Sequence, residues 1–345
     1  MGEWSTRRRR LASSAMGVTA MAGLAWYVAT IAAQPQGPAN AGRPVTTQAQ
    51  VDRWQTELSN WGRWGKDDTL GSANLITAAK RQQAMALAKS GTVVSLERRV
   101  VLSDKPEESK ADDKPHGISF YKIRFKTFPA GDPRGIAGYS SDLQEFHVHG
   151  GMTHLDAFCH KSADGKLYNG YPLAETVSQE TGCTKLGLDG LPQGLVTRGV
   201  LVDMTRVKGV SREPGGRVYQ RDIELWEKQT GVTVSEGDAL FVYNPSAESG
   251  PNGPRRNGEF DISVLPWMKA RGVAMTSAVG DIPGDQHADH RLLLVAMGVY
   301  LLDGVRLDQL ASTAARLNRW EFLLVVAPLQ VPGSTGSPVN PLAMF

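Results

Sequence analysis

Cysteine is nearly absent: two in 345 residues, too few for a disulfide framework. Charge of one sign is missing as well. Lys and Arg total 38 against 35 Asp and Glu, and Arg7 to Arg10 stand against Glu3 alone in the first 33 residues, so the remainder is electrically neutral. A neutral body without a basic block excludes a nucleic-acid partner, because such affinity rests on neutralising phosphates. No Gly-rich stretch follows the strand, turn and helix pattern of a phosphate or dinucleotide loop. What is present, 41% hydrophobic and 21% charged residues with 37 Gly and 19 Pro, is the composition of a globular chain able to bury its own core.

Long apolar runs are also missing, apart from Leu11 to Ala33, which lacks any charge and follows Arg7-Arg8-Arg9-Arg10. Such a run behind arginines predicts an export signal over 1–33, resembling a twin-arginine signal in part, and places the protein in the periplasm. A membrane anchor is open only through 11–33, since an uncharged helix of this length reaches across ~30 Å of hydrocarbon. A linker rich in Pro, Gly and Gln covers 34–48, and one domain is expected over 49–345. Cys159 and Cys183, 24 positions apart, could pair outside the cytoplasm. The simpler expectation is two small buried residues.

Within the body, Thr77 is set to cap a helix whose Ala79, Gln83, Ala84, Leu87 and Ala88 recur at helical spacing before Gly91. Residues 92–102 and 118–128 read as strands around a charged loop at 103–114. Short apolar runs at 199–204, 239–243, 273–277, 299–302 and 322–327 read as buried strands, with helical patterns at 220–229, 262–271 and 286–297. The expected fold is mixed α/β.

Four of the seven histidines, His147, His149, His154 and His160, fall within fourteen positions together with Asp156. With Gln144 to His149 as a strand, His147 and His149 share one face. Gly150-Gly151 then turns the chain so that His154 and Asp156, again two apart, meet them. Imidazole and carboxylate donors of this kind bind Zn²⁺ or Mn²⁺, and three ligands leave a coordination position open for chemistry. Burying the same groups without a cation would cost desolvation with little return. Cys159 points away from the ligand side in this reading.

The segment from His149-Gly150-Gly151-Met152-Thr153-His154 through Asp156 to His160 resembles the signature of the putative cyclase family, whose members include bacterial kynurenine formamidase and isatin hydrolase. Further likeness lies in Asn60-Trp61-Gly62-Arg63-Trp64-Gly65 through Thr77, in Gly237-Asp238-Ala239-Leu240, and in the tail Thr335-Gly336-Ser337-Pro338-Val339-Asn340-Pro341. The resemblance implies a swivelling β/β/α fold and one or two divalent ions. It also implies hydrolysis of an amide, lactam or related carbonyl bond in a small, aromatic substrate, carried out by water activated at the metal. His149 and His154 are five apart where the family has four, which leaves His147 as the alternative first ligand. The resemblance adds His290 and Asp303 as late ligands, with Asp303 one methylene shorter than the usual Glu. His287 is expected at the surface. His160 is the candidate general acid/base, with a third metal ligand as its alternative, and Trp61 and Trp64 form a candidate aromatic wall for substrate. A homo-oligomer is expected. The rival reading is an exported metal- or ligand-binding protein that keeps the fold without catalysis.

Overall fold

The computed structural model describes residues 43–98, 121–128, 139–149, 152–210, 216–246, 249–250, 253–254, 257–277 and 279–345, all in one unit. The expected export signal, the linker up to residue 42, the charged loop at 103–114 and Gly150-Gly151 lie outside the described residues. No helix among the described residues is long and apolar enough to cross a membrane. Thr47 caps helix α1 (Gln48–Glu57), accepting from the Gln50 N–H while Gln50 returns a bond to the cap, a reciprocal capping box.

Nine strands make one curled mixed sheet: β1 (Val93–Ser95), β2 (His154–Asp156), β3 (Leu195–Asp203), β4 (Ala239–Tyr243), β5 (Met275–Thr276), β6 (Tyr300–Asp303), β7 (Glu321–Val326), β8 (Gly336–Pro338) and β9 (Leu342–Met344). Their spatial order is β1-β9-β7-β3-β4-β5-β6-β2-β8. The four central strands, β3 to β6, run parallel, and the flanking pairs are antiparallel. Parallel strands are covered on both faces, which is why β4 and the Gly199–Val202 stretch of β3 read as continuous apolar runs and why Val200, Leu201, Val202, Leu240, Phe241 and Val242 are wholly buried. This is the mixed α/β single domain expected from the sequence.

Four expectations need correction. The strand before the histidine cluster is Tyr139–Phe146, in a hairpin with Tyr121–Phe128, and it ends before His147. Val148 and His149 have left it to pack over Gly336, so strand alternation is not what brings His149 to the site. Helix α2 (Ala78–Met85) is capped by Thr77 as expected but stops well short of Gly91. The pattern at 286–297 is a short turn of helix, Ala288–His290, that widens into a π-helix over Arg291–Met297. Cys159 and Cys183 are both buried, but they are joined as a disulfide.

Beneath the sheet, the Gly237-Asp238 motif has a structural use. Asp238 is completely buried and takes Lys80 Nζ at 2.5 Å on Oδ1 and both Nε and Nη2 of Arg198 at 2.9 and 2.5 Å. Arg198 also reaches Glu321 at 2.5 Å. Two cations and two carboxylates thus tie α2 to β3, β4 and β7. Burial pulls the Lys80 ammonium down from its ordinary pKa, against the bond to Asp238.

Candidate metal centre

β2 carries the centre through its alternation. Leu155 turns into the core, fully buried, while His154 and Asp156 turn to the other face. Antiparallel register then puts Asp303 of β6 opposite His154, and Gly336 of β8 opposite Asp156. A Cβ at Gly336 would lie 2.9 Å from His149 Cε1, so the glycine leaves the space that the His149 ring fills. Thr335 Oγ1 holds that ring at 3.0 Å from Nε2, which presents Nδ1 to Asp156 Oδ1 at 3.1 Å.

His154 contacts Asp156 Oδ1 through Nε2 at 3.4 Å, with its Nδ1 held by the Met152 carbonyl at 2.8 Å. His290, at the entry to the π-helix, brings Nε2 to 3.6 Å from Asp156 Oδ2 and 3.7 Å from Asp303 Oδ2. His160 follows the Ala157–His160 turn. Its ring stacks on His149 with centroids 3.8 Å apart. His149, Asp156 and His160 offer ligand atoms within 4.8 Å of one another, and so do His154, Asp156 and Asp303.

Asp156 is fully buried, yet neither of its oxygens accepts a hydrogen bond, and His149 Nδ1 is likewise buried without one. Buried polar groups are rarely left so. Burial opposes the charge of Asp156, but the His149 and His154 rings outweigh it and hold its carboxyl well below the usual range. For Asp303, burial and then the charge of Asp156 push the carboxyl up to about 7. Burial also works against a charged His290, but Asp289, Asp303 and Asp156 together raise it to about 9. His160 goes the other way: burial, opposed by Asp156 and reinforced by His149, His290 and His154, pushes it down to about 4. The donor set is nitrogen and oxygen only, since Cys159 is bonded to Cys183, and it fits a divalent cation.

The remaining expected residues fall as follows. His147 is exposed beyond the hairpin strand, its ring 6.1 Å from that of His149. His287 is exposed, as expected, with its ring 5.7 Å from that of His290. The tryptophans part company. Trp61 turns its indole N–H into the Val295 carbonyl at 2.7 Å, beside Asn60, which takes the Ala296 and Met297 carbonyls. Together they satisfy the carbonyl end of the π-helix over Arg291–Met297, groups that otherwise lack partners. Trp64 is half-buried under the Arg63 guanidinium, 4.7 Å from its centroid.

Sequence reasoning gave no role to Asp289, and none to Thr335 or Gly336, although the tail motif marked the last two. An acidic residue directly before a candidate ligand histidine, and a Thr-Gly pair in a segment of family likeness, were the available signals.

The family profile described as Putative cyclase matches residues 72–278, more than half of the chain. A solved structure described as a novel cyclase is 26% identical with a TM-score of 0.67, over 84% of this chain and 100% of that one. Isatin hydrolase A from Labrenzia aggregata bound to benzyl benzoate is 20% identical with a TM-score of 0.47, over 78% of this chain and 99% of that one. No curated protein matches. A family match over residues 72–278, taken with the sheet and the β2 histidine cluster it encloses, establishes that this chain belongs to the putative cyclase family.

Proposed function

We propose that the protein is a metal-dependent hydrolase that cleaves the C–N bond of an amide, lactam or related carbonyl compound with a small aromatic substrate. The observation that carries this reading is Asp156: a buried carboxylate with no hydrogen bond to either oxygen and imidazole nitrogens of His149, His154 and His290 at 3.1 to 3.6 Å. In this reading His149, His154 and Asp156 hold Zn²⁺ or Mn²⁺, with His290 and Asp303 completing the set or serving a second ion. A divalent cation bound there would polarise a carbonyl oxygen and lower the pKa of a water to about 7.

The chain's own residues supply the rest. The Met152 carbonyl accepts from the outward Nδ1 of His154, so its inward Nε2 keeps a lone pair for the centre, and Thr335 orients the His149 ring. His160, with a ring that is neutral at pH 7, takes a proton from the attacking water and hands it to the leaving amine. No serine or cysteine nucleophile is needed. Trp61 is committed to the helix end, which leaves Trp64 as the ring offered to an aryl substrate. We also place the protein outside the cytoplasm: a disulfide is what an oxidising compartment sustains, and the arginine-led run at 7–33 supplies a signal.

Metal analysis of the purified protein and of His154→Ala tests the centre, and a hydrolysis screen over N-formyl anilides, isatin and lactones tests the activity. Stoichiometric metal lost in the variant, with turnover of at least one substrate class, is expected. Metal without turnover of any of them would favour the binding protein without catalysis, and wild-type metal content in His154→Ala would remove the centre from β2.

A further inference from the structure

His290 does not reach the centre unaided. Its ring Nδ1 lies 2.7 Å from Asp289 Oδ1, and the same oxygen accepts the His290 backbone N–H at 2.6 Å. In its neutral form, the one that binds a metal, a ring that donates through Nδ1 carries its lone pair on Nε2, the nitrogen that faces Asp156 and Asp303. Asp289 is itself buried, and its backbone N–H donates to Asp281 Oδ1 at 3.2 Å.

Asp281 is anchored away from the main sheet. It follows the short strand Val279–Gly280, which runs parallel to Glu259–Asp261, itself parallel to Arg217–Val218. Arg217 donates to the Asp281 carbonyl and contacts Asp261 at 3.3 Å. Gly280 leaves room for this, since a Cβ there would sit 2.7 Å from Arg217 Nε and 2.8 Å from Glu259 Oε2. Three short strands therefore anchor Asp281, whose carboxylate meets Asp289 behind the imidazole of His290. An asparagine at 289 could fill the same shape and accept the same bonds. Placing a second carboxylate so close is costly unless the charge has a use.

We propose that Asp289 is a positioning residue for His290, held in turn by Asp281, and that this carboxylate pair sets how tightly the centre holds its cation. The inference rests on the reading of His290 as a ligand. A carboxylate behind a ligand imidazole fixes its tautomer and raises its basicity, and removing such a partner costs 10- to 100-fold in metal affinity.

The test is Zn²⁺ affinity by chelator competition for wild type, Asp289→Asn, Asp289→Ala, Asp281→Asn and His290→Ala, with the melting temperature of each metal-free protein as control. Asp289→Asn should weaken Zn²⁺ by roughly 10- to 100-fold with little change in melting, and Asp281→Asn should weaken it less, in the same direction. Adding Asp289→Asn to His290→Ala should cost nothing further, because both act through one ring. If His290→Ala weakens binding and Asp289→Asn does not, the positioning role is wrong while the ligand stands. If His290→Ala binds as wild type, the ligand itself is wrong. A merely structural Asp289 would lower the melting temperature and leave the affinity of the folded protein unchanged. Should Asp289→Ala fail to fold, Asp289→Asn, which keeps the shape, decides.

Discussion

His154 and Asp303 face each other across the antiparallel pairing of β2 with β6, although the chain separates them by half of the domain. Their meeting is a matter of register. A slip of one residue would turn His154 into the core and Leu155 out. β8, on the other side of β2, fixes that register a second time by setting Gly336 against Asp156 and Pro338 against His154.

Gly336→Ala tests how closely β8 shapes the centre. The added methyl would meet His149 Cε1 at 2.9 Å, the Leu155 carbonyl at 3.0 Å and Val148 Cγ1 at 3.3 Å, and of these the ring is the part with room to swing. Overpacking of this kind costs roughly 1–3 kcal/mol. The variant should melt lower and bind Zn²⁺ more weakly than wild type. Unchanged affinity would mean that His149 is not held over the glycine.

The disulfide joins the turn that bears His160 to Cys183, whose N–H donates to Gly333 at 2.9 Å, two residues before the Thr335 that holds His149. Closing a loop of this length stabilises by about 3 kcal/mol on the chain-entropy account. Cys159→Ala with Cys183→Ala should therefore lower the melting temperature by several degrees, and thiol titration of the unfolded wild type without reductant should find no free thiol. Two thiols per chain and an unchanged melting point in the double variant would count against the bond.

How much of this was legible beforehand follows from what each residue answers to. His154 and Asp156 were legible because strand alternation is local and its period is short. The buried strands were legible because parallel neighbours demand continuous apolar runs. His149 lies against Asp156, but strand alternation does not put it there: it arrives on a turn, over a glycine supplied from 187 positions later. Asp289 escaped because an acid beside a histidine looks like surface in the sequence, and its bond to Asp281, eight positions earlier, carries no local signal. The disulfide escaped because two cysteines carry no spacing signal, and pairing depends on where the two backbones pass each other.

Asp238→Ala should be among the most damaging changes away from the centre. It would leave Lys80 and Arg198 buried with only Glu321 to offset them, and breaking a buried ion pair from one side costs about 3–5 kcal/mol. Urea unfolding monitored by circular dichroism should show the loss as a lower midpoint with an unchanged slope. The metal affinity of the fraction still folded should stay as in wild type, since none of these side chains touches the histidines. A loss within about 0.5 kcal/mol, the range of an ordinary surface substitution, would show that the network carries no net stability.

His160 is the residue for which the geometry allows two roles, and one variant separates them. The ring stacks on His149 and offers a nitrogen within 4.8 Å of ligand atoms of His149 and Asp156, yet among the described residues no backbone carbonyl or carboxylate braces it as one does His154 and His290. An unbraced ring suits a group that must pick up and release a proton. His160→Ala should therefore keep its Zn²⁺ and much of its substrate affinity while turnover falls by roughly 10²- to 10⁴-fold, because the interaction removed is realised in the transition state. Asp156→Ala, measured alongside, should lose metal and activity together. Metal lost from His160→Ala would make the residue a ligand, and wild-type turnover would take it out of the reaction.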